Sequence, residues 1–310
     1  MTRRDALRYV SAIGLACAPT LALHAGEPPP VLPSPEQLEV YRHLWVDPVR
    51  ASTDGSLYGL YPTPSRGAGT QGSYRIYLPP QYATEPGRRF GVIYWLHGGF
   101  GSSRDGAAAI ARIDRAIKAR VMPPHLVVVP QALPGGWYVD SKDGDRPVEQ
   151  VVAFDLVQHI DRTYRTATEA AERTVEGMSI GGYGALRLGA KYPRIFGRVS
   201  AVAPSILKDM GEEPAERTED AFSGDQRYYD AVGPWTLTVG NAPALRQRSR
   251  IRLLAGGEDT RLVAVLREYA ALLTSLGIPH EFIEVPGVGH DYPAIVDGIG
   301  GRYAEYWARS

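Results

Sequence analysis

The chain has 310 residues, 44% of them apolar and 22% charged, which is enough apolar matter for a sizeable core and argues against global disorder. Lys plus Arg and Asp plus Glu are 34 each, so the basic excess with which proteins hold nucleic acid or anionic lipid is missing. The one cysteine, Cys17, excludes an internal disulfide, a zinc knuckle and an iron–sulfur site, and no metal or cofactor is expected.

The N-terminus reads as an export signal over residues 1–25. Basic Arg3, Arg4 and Arg8 precede the apolar run from Tyr9 to Leu23, and alanines stand at 22 and 25. The run is shorter than the roughly 20 residues of a membrane span. The Arg3-Arg4 pair resembles a twin-arginine signal, with an ordinary export signal carrying two arginines as the alternative. Gly14-Leu15-Ala16-Cys17 fits a lipid-anchoring sequence poorly. Cleavage after Ala25 leaves 31 basic and 33 acidic residues, no cysteine, no stable membrane span and a periplasmic or extracellular bacterial protein. Residues 26–39 form a Pro-rich leader expected to stay extended through Pro35, because proline fixes φ and lacks a donor. Residues 40–310 read as one domain.

Strands and helices then alternate. Ser73 to Leu78 alternates and stops at Pro79-Pro80, as a strand does. Val92-Ile93-Tyr94-Trp95-Leu96 and Leu126-Val127-Val128-Val129 are continuous apolar runs, as in strands buried on both faces. A helix is predicted over 105–119 and another over 148–164, where Val151, Val152, Phe154, Leu156, Val157 and Ile160 recur at helical spacing. There follow a strand at 173–176, a helix at 180–191 and a strand at 199–202. Residues 206–248 read as a polar insertion. Strand 250–255, helix 261–276, strand 280–285 and a helix near 300–308 close the chain. This alternation predicts an α/β fold with a mostly parallel sheet covered by helices on both faces, and a site at the carboxyl ends of the strands.

Three segments carry chemistry. Gly177-Met178-Ser179-Ile180-Gly181 is a G-x-S-x-G sequence at a strand-to-helix junction, where bulk two residues either side of the serine would collide with neighbouring elements. His97-Gly98-Gly99-Phe100-Gly101 follows the buried strand 92–96, and its glycine turn can aim an N–H at a developing oxyanion; the N–H of Ile180 is the second donor. His97 itself reads as structural. Gly289-His290-Asp291 follows the last strand and offers the imidazole that a serine hydrolase needs. The other histidines leave with the signal, precede the core, precede strands or lie within a helix. An acid to orient His290 is expected after strand 250–255, where Glu258 and Asp259 adjoin. Asp259 is the preferred choice, Glu258 being a helix-start charge, and Asp291 is the third option.

With Tyr74 to Pro80, Tyr94 to Gly99, Trp137 to Ser141, Gly177 to Leu186, Gly256 to Asp259 and Gly289-His290 taken together, the chain resembles the esterase D family of α/β-hydrolases from about Tyr74 to Trp307. That family includes feruloyl esterases, S-formylglutathione hydrolases, enterochelin-esterase-like proteins and mycolyltransferases. The resemblance implies an α/β-hydrolase fold, Ser179 as nucleophile, Asp259 as acid, His290 as base, and oxyanion donors at the backbone N–H groups of Gly99 and Ile180. The family often has Met after the serine; Ile180 departs from this, which a backbone donor tolerates while the pocket shape changes. Trp137–Ser141 falls on a family loop near the site, so Trp137, Tyr138 and Asp140 are candidate substrate contacts, with packing an equal alternative for the two aromatics. In the insertion, packing is favoured over pocket lining for Phe222, Tyr228, Tyr229 and Trp235. The resulting expectation is an exported serine ester hydrolase acting through an acyl-enzyme on small-molecule or polysaccharide-linked esters, hydroxycinnamoyl or acetyl. An acyltransferase using the same triad is the alternative. A non-catalytic binding protein would show a broken triad, whereas serine, acid and histidine are all present.

Overall fold

The computed structural model describes residues 32–308. The segment 1–25 read as an export signal and residues 26–31 of the Pro-rich leader lie outside the described residues. Eight strands form one sheet: β1 (Leu57–Pro62), β2 (Gln71–Tyr77), β3 (Gly91–Leu96), β4 (His125–Pro130), β5 (Arg173–Met178), β6 (Arg198–Val202), β7 (Arg250–Gly256) and β8 (His280–Val285). Their order is β1-β2-β4-β3-β5-β6-β7-β8. From β4 to β8 every neighbouring pair is parallel, while β1 and β2 add an antiparallel edge. The chain leaves β3 for β4 on one side and then crosses to β5 on the other. That reversal opens a crevice beyond the carboxyl ends of β3 and β5.

The unbroken apolar runs become strands because both faces are covered. Val92, Tyr94 and Leu96 point into one core layer with Leu126, Val128, Tyr183 and Leu266. Ile93 and Trp95 point into the other with Val127, Val129, Ile113, Ile295 and Trp307. The first layer lies under the helices Ile180–Lys191 and Thr260–Ser275, the second under Ala107–Lys118, Tyr292–Gly298 and Arg302–Ala308. Among the described residues no helix is long and apolar enough to cross a membrane.

Four elements depart from expectation. The leader turns helical at Pro35–Tyr41, where Ser34 and Gln37 form a reciprocal capping box and Pro35 takes the first position. β1 was not foreseen, since Gly59 and Pro62 interrupt its pattern; it forms because Gly59 opposes Tyr74 and Gly72 opposes Tyr61, each tyrosine ring covering the glycine across the strands. The insertion holds three helices, Ala215–Phe222, Gln226–Val232 and Pro234–Arg248. The predicted helix 148–164 contains a π-helical stretch at Val151–Leu156.

One ion pair runs through the core. Glu176, Ser200 and Arg252 are direct partners across β5, β6 and β7. Both charged side chains are fully buried. Arg252 Nη2 donates to Glu176 Oε2 at 3.2 Å, and Nε and Nη2 donate to Ser200 Oγ. The other oxygen, Oε1, accepts from Tyr292 at 2.8 Å and Tyr303 at 2.7 Å. Burial, and after it the charge of Glu176, pushes both phenols well above their usual range, so they remain donors. Removing one charge alone should leave the other unpaired inside. Arg252→Met is expected to lower the free energy of unfolding in urea by about 3–5 kcal/mol, and adding Glu176→Gln should recover much of that loss.

Candidate active site

Ser179 joins β5 to the helix Ile180–Lys191 with φ 59° and ψ −120°, a conformation rarely adopted by a residue bearing Cβ. Its neighbours impose this. A Cβ on Gly181 would lie 2.6 Å from the His97 carbonyl oxygen and closer still to that of Leu96, and one on Gly177 would lie 2.9 Å from Leu96 Cβ. The helix can therefore start only where glycine lets its backbone touch the end of β3. The Ser179 N–H donates to Val202 O at 3.0 Å, and its carbonyl accepts from Tyr183 at 2.9 Å and Ser205 at 3.1 Å, so the turn is anchored on both sides.

The loop after β3 lies alongside. Phe100, with φ 59°, donates its N–H to Pro134 O at 2.9 Å. A Cβ on Gly99 would meet Ile180 Cδ1 at 2.6 Å, so these two residues are in close apposition. Among the described residues no protein group accepts from the N–H of Gly99 or of Ile180.

The loops after β7 and β8 are tied together. Gly257 donates to Val285 O at 2.8 Å and Glu258 to Val288 O at 2.9 Å. This brings Asp259 to His290, with Nδ1 to Oδ2 at 2.6 Å. Asp259 also caps the helix Thr260–Ser275 through Leu262 N. Glu258 points to solvent, and Asp291 caps the helix Tyr292–Gly298 by accepting from Ala294 N at 2.7 Å. Because a carboxylate accepts at Nδ1, the neutral tautomer that fits this contact carries its proton there and turns the Nε2 lone pair outward. Tyr292, two residues beyond His290, is held by Glu176 and so secures this loop to β5. Ser179, Gly98, Gly99 and His290 line one cavity of about 440 Å³, together with Arg217 and Trp95. A second cavity of about 280 Å³ beside Lys208, Tyr229 and Trp235 contains none of the predicted site residues. Among the described residues no group of three or more His, Cys, Asp or Glu is placed to hold a metal ion.

Trp137, Tyr138 and Asp140 are not on the cavity wall, which corrects their reading as substrate contacts. Trp137 is fully buried against Tyr183 and Phe222, and its Nε1 donates to Arg217 O at 2.6 Å. Tyr138 is buried beneath Gly184, and its hydroxyl donates to His97 O at 2.9 Å, where it steadies the β3 loop. Asp140 accepts from Gln150 N and Nε2. Both aromatics take positive φ, which no composition signal announces. His97 is buried with its ring nitrogens at Gly98 O and Ala132 O, and burial pushes its pKa down, consistent with a structural ring. Phe222 is fully buried, in keeping with packing, whereas Tyr229 and Trp235 also border the second cavity. Arg217 and Tyr292 were missed as site residues; nothing in their local sequence pattern marks them.

The sheet order, the strand-to-helix turn and the paired loops define an α/β-hydrolase. The family model named Esterase matches residues 65–308, and the chain belongs to that family. Esterase Rv1288 of Mycobacterium tuberculosis is 32% identical over 244 residues, covering 69% of this chain and 51% of that protein. The chain thus spans about half the length of this relative. An acetyl esterase of Caldicellulosiruptor saccharolyticus is 21% identical over 65% of this chain and 77% of its own length. Among solved structures, a ferulic acid esterase superposes with a TM-score of 0.68 at 18% identity, over 81% of this chain and 98% of that one; at this identity the likeness concerns the fold.

The crowding at the turn is testable against a roomier glycine of the same site. A Cβ on Gly98 would find its nearest neighbours at 3.5 and 3.6 Å, which is ordinary contact. Gly181→Ala is expected to destabilise by at least about 1–3 kcal/mol in thermal or urea unfolding, and Gly98→Ala to unfold close to wild type.

Proposed function

We propose that the chain is an exported serine carboxylic ester hydrolase. One observation carries the reading: Ser179, on a strained turn, shares a cavity with Gly99 and with an imidazole whose Nδ1 is held by a carboxylate at 2.6 Å. Ser179 Oγ attacks the ester carbonyl while His290 Nε2 takes its proton. Asp259 fixes the tautomer and stabilises the imidazolium. The N–H groups of Gly99 and Ile180 receive the oxyanion, a donor of this kind being worth about 3–4 kcal/mol. His290 then returns the proton to the leaving alcohol, and an acyl-enzyme remains. Water, deprotonated by His290, attacks it; the acid leaves and Ser179 regains its proton.

The substrate class we propose is an extracellular acetyl or hydroxycinnamoyl ester, of the kind borne by plant polysaccharide. The support is the export-signal pattern at residues 1–25, together with relatives named acetyl esterase and ferulic acid esterase. Rates on p-nitrophenyl esters from acetate to decanoate, and on methyl ferulate, test this. Activity should favour short or hydroxycinnamoyl acyl groups and fall by at least about a thousandfold in Ser179→Ala. Acyl transfer to an added sugar alcohol with little hydrolysis would instead establish an acyltransferase. Asp259→Asn is expected to slow turnover by about 100- to 10,000-fold and Glu258→Gln to change it little; the reverse order would move the acid role to Glu258.

A further inference from the structure

We propose that Arg217 selects esters whose acyl part ends in a carboxylate, that is, half-esters of short dicarboxylic acids. The inference rests on the hydrolase reading of Ser179 and puts a charged acyl group in place of the acetyl or hydroxycinnamoyl group named above.

Arg217 lies on the insertion helix Ala215–Phe222 and forms part of the wall of the Ser179 cavity. A Cβ on Gly99 would come 3.9 Å from its Nη2, and its guanidinium stands 5.8 Å from the Phe100 ring centre. The charge is therefore at the β3 loop, beside the proposed oxyanion donors. A fully buried carboxylate holds it there. Glu213 Oε2 accepts from Arg217 Nη1 at 3.3 Å, and Glu213 Oε1 accepts from Ser205 Oγ at 2.7 Å. Ser205 N in turn donates to Ser179 O, which fixes the guanidinium relative to the nucleophile.

The charges in this cluster do not cancel. Glu213 also faces Arg261, with Nη2 3.6 Å from Oε1, so one carboxylate serves two guanidiniums. Arg217 is the one of the two that reaches the cavity, with 16% of its side chain exposed. Its Nε is shielded from solvent and finds no acceptor among the described residues. Nη2, the nitrogen on the Gly99 side, bonds none of the described residues either, and it is the donor left for an anion in the cavity. The two carboxylates of the cavity wall are each engaged at a turn: Asp105 accepts from Ser102 N at 3.1 Å and Asp291 from Ala294 N. Both are exposed, where solvent and salt screen them.

Direction follows from the proton. The leaving alcohol must take one from His290 and so departs along the wall of His290, Asp291 and Pro293. The oxyanion points to Gly99 and Ile180. The acyl chain then runs on the side of Phe100 and Arg217, where a terminal carboxylate would meet the guanidinium.

Ethyl hydrogen glutarate and ethyl valerate match in length and differ in charge. Titration of released acid should show kcat/KM about tenfold higher for the charged ester, with the preference shrinking as salt is added. Arg217→Gln should cost the charged ester about tenfold more than the neutral one, and Arg217→Lys should keep part of the preference. Calorimetry with glutarate supplies a readout free of turnover: it should bind Ser179→Ala and not Ser179→Ala/Arg217→Gln. Turnover of ethyl valerate with no preference and no glutarate binding overturns the role of Arg217 and leaves the hydrolase standing. An equal loss on both esters in Arg217→Gln also overturns it, assigning the charge to the oxyanion. If glutarate binds through Arg217 but neither ester is cleaved, the hydrolase reading fails, and with it the acyl selection.

Discussion

The contact between the start of the Ile180–Lys191 helix and the end of β3 sets the rest of the site. At Gly181 the helix backbone is pressed onto the carbonyl groups of Leu96 and His97, closer than any side chain permits. The chain can make that contact only by taking Ser179 through a left-handed conformation, at a local cost of about 1–3 kcal/mol. In exchange, the serine oxygen is placed at the crevice and the Ile180 N–H is left unbonded beside Gly99. The strain is contained by bonds on either side: Val202, Tyr183 and Ser205 fix Ser179, and the Tyr138 hydroxyl holds the His97 carbonyl.

The second half of the site is placed independently and then linked to the first. The loops after β7 and β8 bond to each other, which aligns Asp259 with His290. The link runs beneath them. Glu176, three residues before Ser179 on β5, accepts from Tyr292, two residues after His290, and pairs with Arg252 on β7. One buried carboxylate thus relates β5 and β7, which lead to Ser179 and Asp259, to the start of the helix that follows His290. Such a pair is weak support for stability but supports register, because sliding β5 against β7 would leave a charge unpaired.

These features were unequally legible in the sequence. The parallel strands were plain because burial on both faces requires the continuous runs at 92–96 and 126–129. The serine turn was plain because steric exclusion writes glycine at fixed offsets, and His290 because it follows the last strand on a glycine-flanked loop, in the chain order serine, acid, histidine. The choice between Asp259 and Glu258 turns on helix capping: Asp259 faces inward because it is the cap of Thr260–Ser275. β1 was hidden because its stability comes from tyrosine rings covering glycines on the neighbouring strand. The insertion helices were obscured by Gly233, Gly240 and Pro243. The buried Glu176–Arg252 pair, the packing of Trp137 and Tyr138, and the reach of Arg217 into the cavity all depend on contacts distant in sequence, and no local pattern encodes them.

The proposed hydrolase chemistry requires Ser179 to be an activated nucleophile in this cavity. Treating the protein with a fluorophosphonate and reading the intact mass, then the modified peptide, tests it most directly. A single adduct on Ser179 is expected, absent from Ser179→Ala and formed much more slowly in His290→Ala. An unmodified wild-type protein, or an adduct on another residue that persists in Ser179→Ala, would contradict it.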